Sequence, residues 1–247
     1  GGKVNFISKL GDDEYGKLAI NKLQKDNIDT SNIIISKNHR TGVAGIHVDK
    51  NTGKNAITVV RGAPSSMTID EINIDIIKQS KIFLTQLEVP LDVTLYCLKT
   101  AKKNGLINIL NPAPACKLNN QFFELIDYFT PNETEAEFYS GVKINNEDDA
   151  KKSAKKLIKL GIKNVIITLG EKGLFYSNGK KEIYIKASKV KAIDTTGAGD
   201  AFNGGFSVAL LEGKEINECL YLANRIAGLS TTRLGAGDSM PTLNELN

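Results

Sequence analysis

The stretch with the clearest chemical content is Asp194-Thr195-Thr196-Gly197-Ala198-Gly199-Asp200-Ala201-Phe202. A β-rich segment, Ile183 to Ile193, runs into it. An apolar, small-residue segment, Ala201 to Leu211, runs out of it and reads as a helix. The glycines are therefore expected at a strand-to-helix junction, where free backbone N–H groups and the positive helix end favour an anion. Gly197 and Gly199 carry no side chain that blocks its approach. Asp200 is out of place in a plain anion site, because a carboxylate repels an anion. Beside a phosphoryl group it gains a use, as acceptor of the proton of an attacking hydroxyl. Two commoner glycine motifs are excluded. The dinucleotide fingerprint G-x-G-x-x-G needs glycine at 202, where Phe202 stands. A Walker loop needs Gly-Lys followed by Ser or Thr, and no Gly-Lys pair of this chain has that third residue. A helix start that is merely rich in glycine fits the bare Gly-Ala-Gly-Asp tetrapeptide equally well, so its flanks must decide.

The elements that position this stretch follow from hydrophobic periodicity. Gly1 to Leu10 reads as a strand, and Gly11-Asp12-Asp13-Glu14 opens a helix that runs to about Gln24. Ile33 to Ile35, Gly42 to Val48 and Ala56 to Val60 read as strands, the last two joined by a turn-rich connection over 49–55. From Thr68 the rhythm is regular. Helices are predicted at Thr68 to Gln79, Val89 to Asn104, Gln121 to Leu125, Asn132 to Tyr139 and Glu147 to Leu160. Between and after them come strands at Ile82 to Leu84, Leu106 to Leu110, Tyr128 to Phe129 and Val165 to Leu169. Leu174 to Tyr176 and Glu182 to Ile185 flank Asn178-Gly179, a strong hairpin turn. Two helices close the chain, Ala201 to Leu211 and Ile216 to about Thr231. Alternation of this kind specifies an α/β fold, a mostly parallel central sheet with helices on both faces.

In such sheets ligands bind beyond the carboxyl ends of the strands. Candidate polar residues gather there: Glu88 after the 82–84 strand, Asn111 after 106–110, Asn132 after 128–129 and Gly170 after 165–169. Asn132 and Glu135 share a helix face by their i, i+3 spacing.

Composition narrows the function classes. The 247 residues are 41% hydrophobic, enough for one large core in a single α/β domain. The net charge of +4 is small, both signs are mixed along the chain, and no basic run interleaves with aromatics. Nucleic acid is therefore not expected as a partner. No apolar run approaches the roughly 20 residues of a membrane span, and a signal peptide is not expected. Cys97, Cys116 and Cys219 are odd in number and widely spaced, which fits a reduced, cytoplasmic protein.

Asp-Thr-Thr-Gly-Ala-Gly-Asp-Ala-Phe-Asn-Gly, residues 194–204, resembles the C-terminal signature of the ribokinase-like (PfkB) family of sugar and nucleoside kinases. Thr85-Gln86-Leu87-Glu88, Leu110 to Ala115, Thr130 to Glu137 and Thr168-Leu169-Gly170-Glu171-Lys172-Gly173 resemble that family in the same order. The likeness spans essentially the whole chain. It implies ATP-dependent phosphorylation of a sugar, D-ribose to ribose 5-phosphate, or of another sugar or nucleoside. A non-catalytic fragment that only binds nucleotide is the reading from a different class.

By resemblance, Asp200 is the base and also contacts the sugar, and the backbone of Gly197, Ala198 and Gly199 is the anion hole. ATP contacts are implied for Asn132, Thr168, Leu169, Gly170, Glu171, Lys172, Gly173, Gly199 and Asn224. Glu88 matches a sugar-contacting position. Glu135 would organise Mg²⁺ through water. Asp194, Thr196, Ser230, Arg233, Gly235 and Ser239 match a site for K⁺ as activator. Thr41-Gly42-Val43-Ala44 resembles part of a small β lid, with lid strands over about 33–62 and a homodimer formed through them. An ordinary edge hairpin fits the same residues. Family members begin with a strand carrying a sugar-binding Asp and a glycine-rich segment. This chain starts after both, so the expected single domain over 1–247 is N-terminally incomplete. Pro64 also stands where the family usually has Asn after Gly-Ala.

Overall fold

The structure, a computed structural model, describes residues 1–49 and 55–246. Several helices begin where a short polar side chain satisfies a backbone donor that the first turn leaves open. Asp13 caps α1 (Glu14–Lys25), its carboxylate accepting the Gly16 N–H at 2.9 Å. Asn146 caps α6 (Glu147–Lys159), whose first turn holds three acids and whose last turn holds Lys156 and Lys159, as the helix dipole favours.

Three sheets result among the described residues. β1 (Ser8–Gly11) and β2 (Ile33–Ser36) pair in parallel by themselves. β3 (Val43–Val48) and β4 (Asn55–Val60) form an antiparallel ribbon of their own. Of the span 33–62, only these two strands make the ribbon; most of the connection expected over 49–55 lies outside the described residues. The central sheet holds β5 (Ile82–Thr85), β6 (Ile107–Leu110), β7 (Tyr128–Phe129), β8 (Asn164–Thr168), β9 (Leu174–Ser177) and β10 (Glu182–Ile185). These six lie side by side in chain order, β5 to β8 parallel and β9 and β10 antiparallel.

Helices cover both faces of this sheet. Successive residues of β8 explain how, since a strand sends alternate side chains to opposite sides. Val165 and Ile167 enter one core with Phe123, Phe129, Ala154 and Leu157, under α5 (Glu133–Ser140) and α6. Ile166 enters the other with Phe202, Phe206, Leu220 and Ala223, from α7 (Ala198–Leu211) and α8 (Ile216–Ser230). A third core gathers Met67, Ile77 from α2 (Ile74–Lys78) and Val93, Cys97 and Ala101 from α3 (Leu91–Lys103). α4 (Asn120–Leu125) adds Phe122 and Phe123 to the buried set.

The structure corrects four expectations. The single helix over Thr68 to Gln79 is two pieces, a 3-10 turn at Ile69–Glu71 and then α2. Thr68 and Glu71 close a capping box, Ile72 is extended, and Asn73 caps a second start by accepting the Asp75 N–H. The strand expected over Gly1 to Leu10 is confined to Ser8–Gly11, preceded by an isolated bridge between Asn5 and Asp29. The β-rich run to Ile193 stops at Ile185. Beyond it the chain lies along α8 and spends its hydrogen bonds there, with Asn224 Nδ2 on Lys186 C=O and the Ile193 and Asp194 N–H groups on Thr231 C=O. Finally, α7 begins at Ala198 and not at Ala201, so Gly199 and Asp200 belong to its first turn.

Phe206 on α7 is fully buried, edge-on to Tyr128 at 5.0 Å and stacked on Phe202 at 6.1 Å. Phe206→Ala is expected to lower stability by about 3–5 kcal/mol, read as an earlier midpoint in urea denaturation. An unchanged midpoint would remove α7 from the core.

Candidate active site

Gly197 adopts the left-handed conformation, φ 76°, as the N-cap of α7. A side chain there would be strained, and its Cβ would stand 3.0 Å from Met240 Cε and 3.4 Å from Ala236 Cα. Gly199 is different. Its φ is ordinary, and a Cβ would meet nothing within 4 Å. Packing within the chain does not require glycine there, and the space its missing side chain leaves faces outward. The first intrahelical bond runs from Ala201 N–H to Gly197 C=O at 2.9 Å, and Ala198 N–H makes a long 3.3 Å bond to Thr195 C=O. A helix start of this kind presents backbone donors to an anion. Asp200 stays accessible to solvent and accepts no hydrogen bond among the described residues. The protein packed around it raises its carboxyl above the usual aspartate range through desolvation alone.

Across the carboxyl edge of the sheet, Asn132 and Glu135 form a reciprocal capping box at the start of α5. Asn132 Oδ1 accepts the Glu135 N–H and Glu135 Oε2 accepts the Asn132 N–H, each at 2.9 Å. Burial raises the Glu135 carboxyl above its ordinary value, opposed in part by these bonds. Its other oxygen, Oε1, accepts no hydrogen bond among the described residues. Asn132 bridges directly to Thr168 at the end of β8, which brings these two nucleotide candidates side by side. Thr168 leads into the turn at Gly170–Lys172, closed by Gly173 at φ 107°. A Cβ on Gly173 would lie 1.9 Å from Ile185 C=O, so this glycine permits the turn to pack under β10. Glu171 is exposed, and the Lys172 ammonium donates to Asn145 C=O at 3.1 Å.

The cation candidates divide into two groups. Asp194 Oδ1 accepts the Thr196 N–H at 2.9 Å and its hydroxyl at 2.6 Å, while Oδ2 accepts the Gly235 N–H at 2.9 Å. Burial works against the Asp194 charge, yet these bonds outweigh it and hold the carboxyl below the usual range. The end of α8, with buried Ser230, is pinned beside Asp194 through Thr231 C=O. Ser239 is also fully buried, its hydroxyl on Ala236 C=O. Arg233 is not part of this cluster through its side chain, which pairs with Glu245 at 2.5 Å. Asn224 is buried and tied by its amide to Lys186 C=O at 2.9 Å, so it braces the loop that leads to Asp194. Glu88 is exposed in the β5–α3 loop, which Leu87 N–H fastens to Ala113 C=O at 2.9 Å. Asp13 and Asn203 are not among the candidate site residues read from the sequence, yet both make long-range ties. Asp13 holds Thr41 at the root of the β3–β4 ribbon, taking its N–H at 2.8 Å and its hydroxyl at 2.7 Å. Asn203 joins α7 to the residue after β7 through Thr130. Neither signal is local, since the partners lie 28 and 73 residues away.

Residues 1–243 match the pfkB family carbohydrate kinase model. The chain is 44% identical to a ribokinase of Haemophilus influenzae over 248 residues, covering 99% of this chain and 80% of that protein. Among solved structures it superposes on a ribokinase of Thermotoga maritima with TM-score 0.87 at 38% identity, covering 98% of this chain and 79% of that one. An Arabidopsis thaliana ribokinase complexed with ribose and ATP gives TM-score 0.90 at 32% identity, over 99% and 80% of the two chains. The chain belongs to the pfkB family of carbohydrate kinases. It is a sugar kinase with a ribokinase-like α/β fold.

Asp13 makes a sharp test of the ribbon's root. The amides of Thr41 and Gly16 hold its carboxyl below the usual range, so its stabilising effect is present above the unfolded-state pKa. The stability gap between wild type and Asp13→Asn is expected to be full at neutral pH and to close as pH falls below about 4. Thermal melts across pH check this; a gap independent of pH would show that the charge plays no part.

Proposed function

We propose that the chain transfers the terminal phosphoryl group of ATP to D-ribose, giving ribose 5-phosphate and ADP. The 44% identity to a ribokinase over nearly the whole chain supports this assignment, together with an aspartate in the first turn of a glycine-capped helix, whose carboxyl accepts no hydrogen bond among the described residues and is raised by desolvation. In this reading the sugar hydroxyl attacks the terminal phosphorus and its proton passes to the Asp200 carboxylate. The bond from that phosphorus to the ADP oxygen breaks. Gly197, Ala198 and Gly199 hold the transferring group through their backbone, and positioning with charge stabilisation supplies most of the rate. Asn132, Thr168, Leu169, Gly170, Glu171, Lys172, Gly173 and Asn224 border the nucleotide, and Glu88 contacts the sugar.

The donor chemistry fits two cations. Mg²⁺ keeps most of its waters and needs few protein carboxylates. Glu135, with Oε1 spare, would hold one of those waters, and the ion would offset charge on the phosphates. K⁺ suits hard oxygen donors. The Asp194 carboxylate is already committed to Thr196 and Gly235, so backbone and hydroxyl oxygens around 194–196, 230 and 233–239 would complete the shell. The negative end of α8 favours a cation in that place. The β3–β4 ribbon, with Val43, Ile46, Ile57, Val59 and Val60 exposed, acts as a lid within one domain and joins two copies in a homodimer. No helix among the described residues is long and apolar enough to cross a membrane, and we place the protein in the cytoplasm.

Ribose-dependent ADP release is the test. Release is expected to require Mg²⁺, to be stimulated by K⁺ over Na⁺, and to fall at least about a hundredfold in Asp200→Ala with nucleotide binding retained. Near-normal turnover in that variant removes the base. Activity with fructose or adenosine in place of ribose changes the sugar. Because the Asp200 carboxyl is raised, and only its ionised form accepts a proton, the acid limb of turnover should lie above an ordinary aspartate value of about 3.9. A limb at or below that value contradicts the assignment.

A further inference from the structure

Asn203 lies one turn beyond Asp200 on α7 and is buried, yet the reaction above gives it no role. Its amide reaches in two directions. Nδ2 donates to Gly199 C=O at 2.9 Å, and Oδ1 accepts the Thr130 hydroxyl at 2.8 Å. Only this orientation gives the Gly199 carbonyl a side-chain donor. Thr130 is buried as well, and its N–H donates to Leu110 C=O at 3.0 Å, which fixes it to β6. Two residues after Thr130 comes Asn132, locked to Glu135 by the capping box. One buried side-chain link therefore connects the helix turn bearing Gly199 and Asp200 to the strand end bearing Asn132 and Glu135.

Stability gives little reason for this pair. Two apolar residues of the same shape would pack the same space at nearly the same free energy, whereas a polar pair must stay matched to avoid an orphaned group. What the polar pair adds is direction, because a hydrogen bond sets the angle and height of the Gly199 carbonyl as packing cannot. We infer that Asn203, through Thr130, is a positioning residue for phosphoryl transfer. It holds the turn that carries the base and the anion amides in register with the residues that border the nucleotide and its metal. The inference rests on the kinase reading of the same site.

The test uses the double variant Thr130→Val/Asn203→Leu, which removes both hydrogen-bonding partners and keeps their bulk, beside each single variant. The double variant is expected to melt close to wild type. Its turnover at saturating ATP and ribose should fall at least tenfold, with the KM for ATP little changed. Amide exchange over 198–206 should accelerate at least tenfold, while exchange over 216–230 stays as in wild type. A folded double variant with turnover within twofold of wild type would show that the pair is only a matched piece of core. Exchange reads the tether without any turnover. If wild type releases no ADP with ribose, the kinase reading fails on that result alone. Unchanged exchange over 198–206 in Asn203→Leu overturns the inference in either case.

Discussion

The left-handed backbone at Gly197 is the constraint on which the site depends. Only at that residue can the chain turn from the loop along α8 into α7 while Met240 and Ala236 press against it. The turn sets where the helix begins, and the start of the helix decides which amides lack an internal acceptor. It also sets the direction of Asp200, two residues inside the helix. Two further anchors hold the same turn. Asp194 ties the loop before it to Gly235, and Asn203 ties the first turn behind it to Thr130.

Three carboxylates near this turn show how environment assigns roles to one chemical group. Asp194 is the most buried, yet three hydrogen bonds make its charge comfortable and leave it no freedom to take a proton. Glu135 has one oxygen bound in a helix cap and the other spare, with burial keeping its pKa up. Asp200 accepts no hydrogen bond among the described residues and is raised by its surroundings. A structural anchor, a holder of ordered water and a proton acceptor are the uses these settings suit. The sequence singles out Asp200 by its place in the glycine pattern, but which oxygens of each acid are occupied depends on partners brought in by folding, Gly235 for Asp194 above all.

Much of the frame was legible from periodicity. The strands β5 to β10 and the helices α3, α6 and α8 fall within a residue or two of their expected limits, because alternation and caps are local properties. The misses share a cause. The helix over 68–79 divides because Asn73 offers a second cap, and the run after Ile185 leaves the sheet because α8 supplies better partners than a neighbouring strand. The start of α7 moves forward because a glycine in αL is a cap that side-chain rules overlook.

For the candidate residues the division is sharper. The sequence by itself determined the α/β alternation, the loop positions of Glu88, Asn132 and Gly170 at strand ends, and the glycine pattern that starts α7. These depend on neighbours a few residues apart. Tertiary structure alone decided that Asn132 touches Thr168, that Asp194 binds Gly235, that Arg233 turns toward Glu245 and that Asn224 braces a loop. It also decided that Asp13 grips Thr41 and Asn203 grips Thr130. Each of these pairings joins parts of the chain whose meeting is set by how the sheet and its helices pack, and no local pattern encodes that meeting.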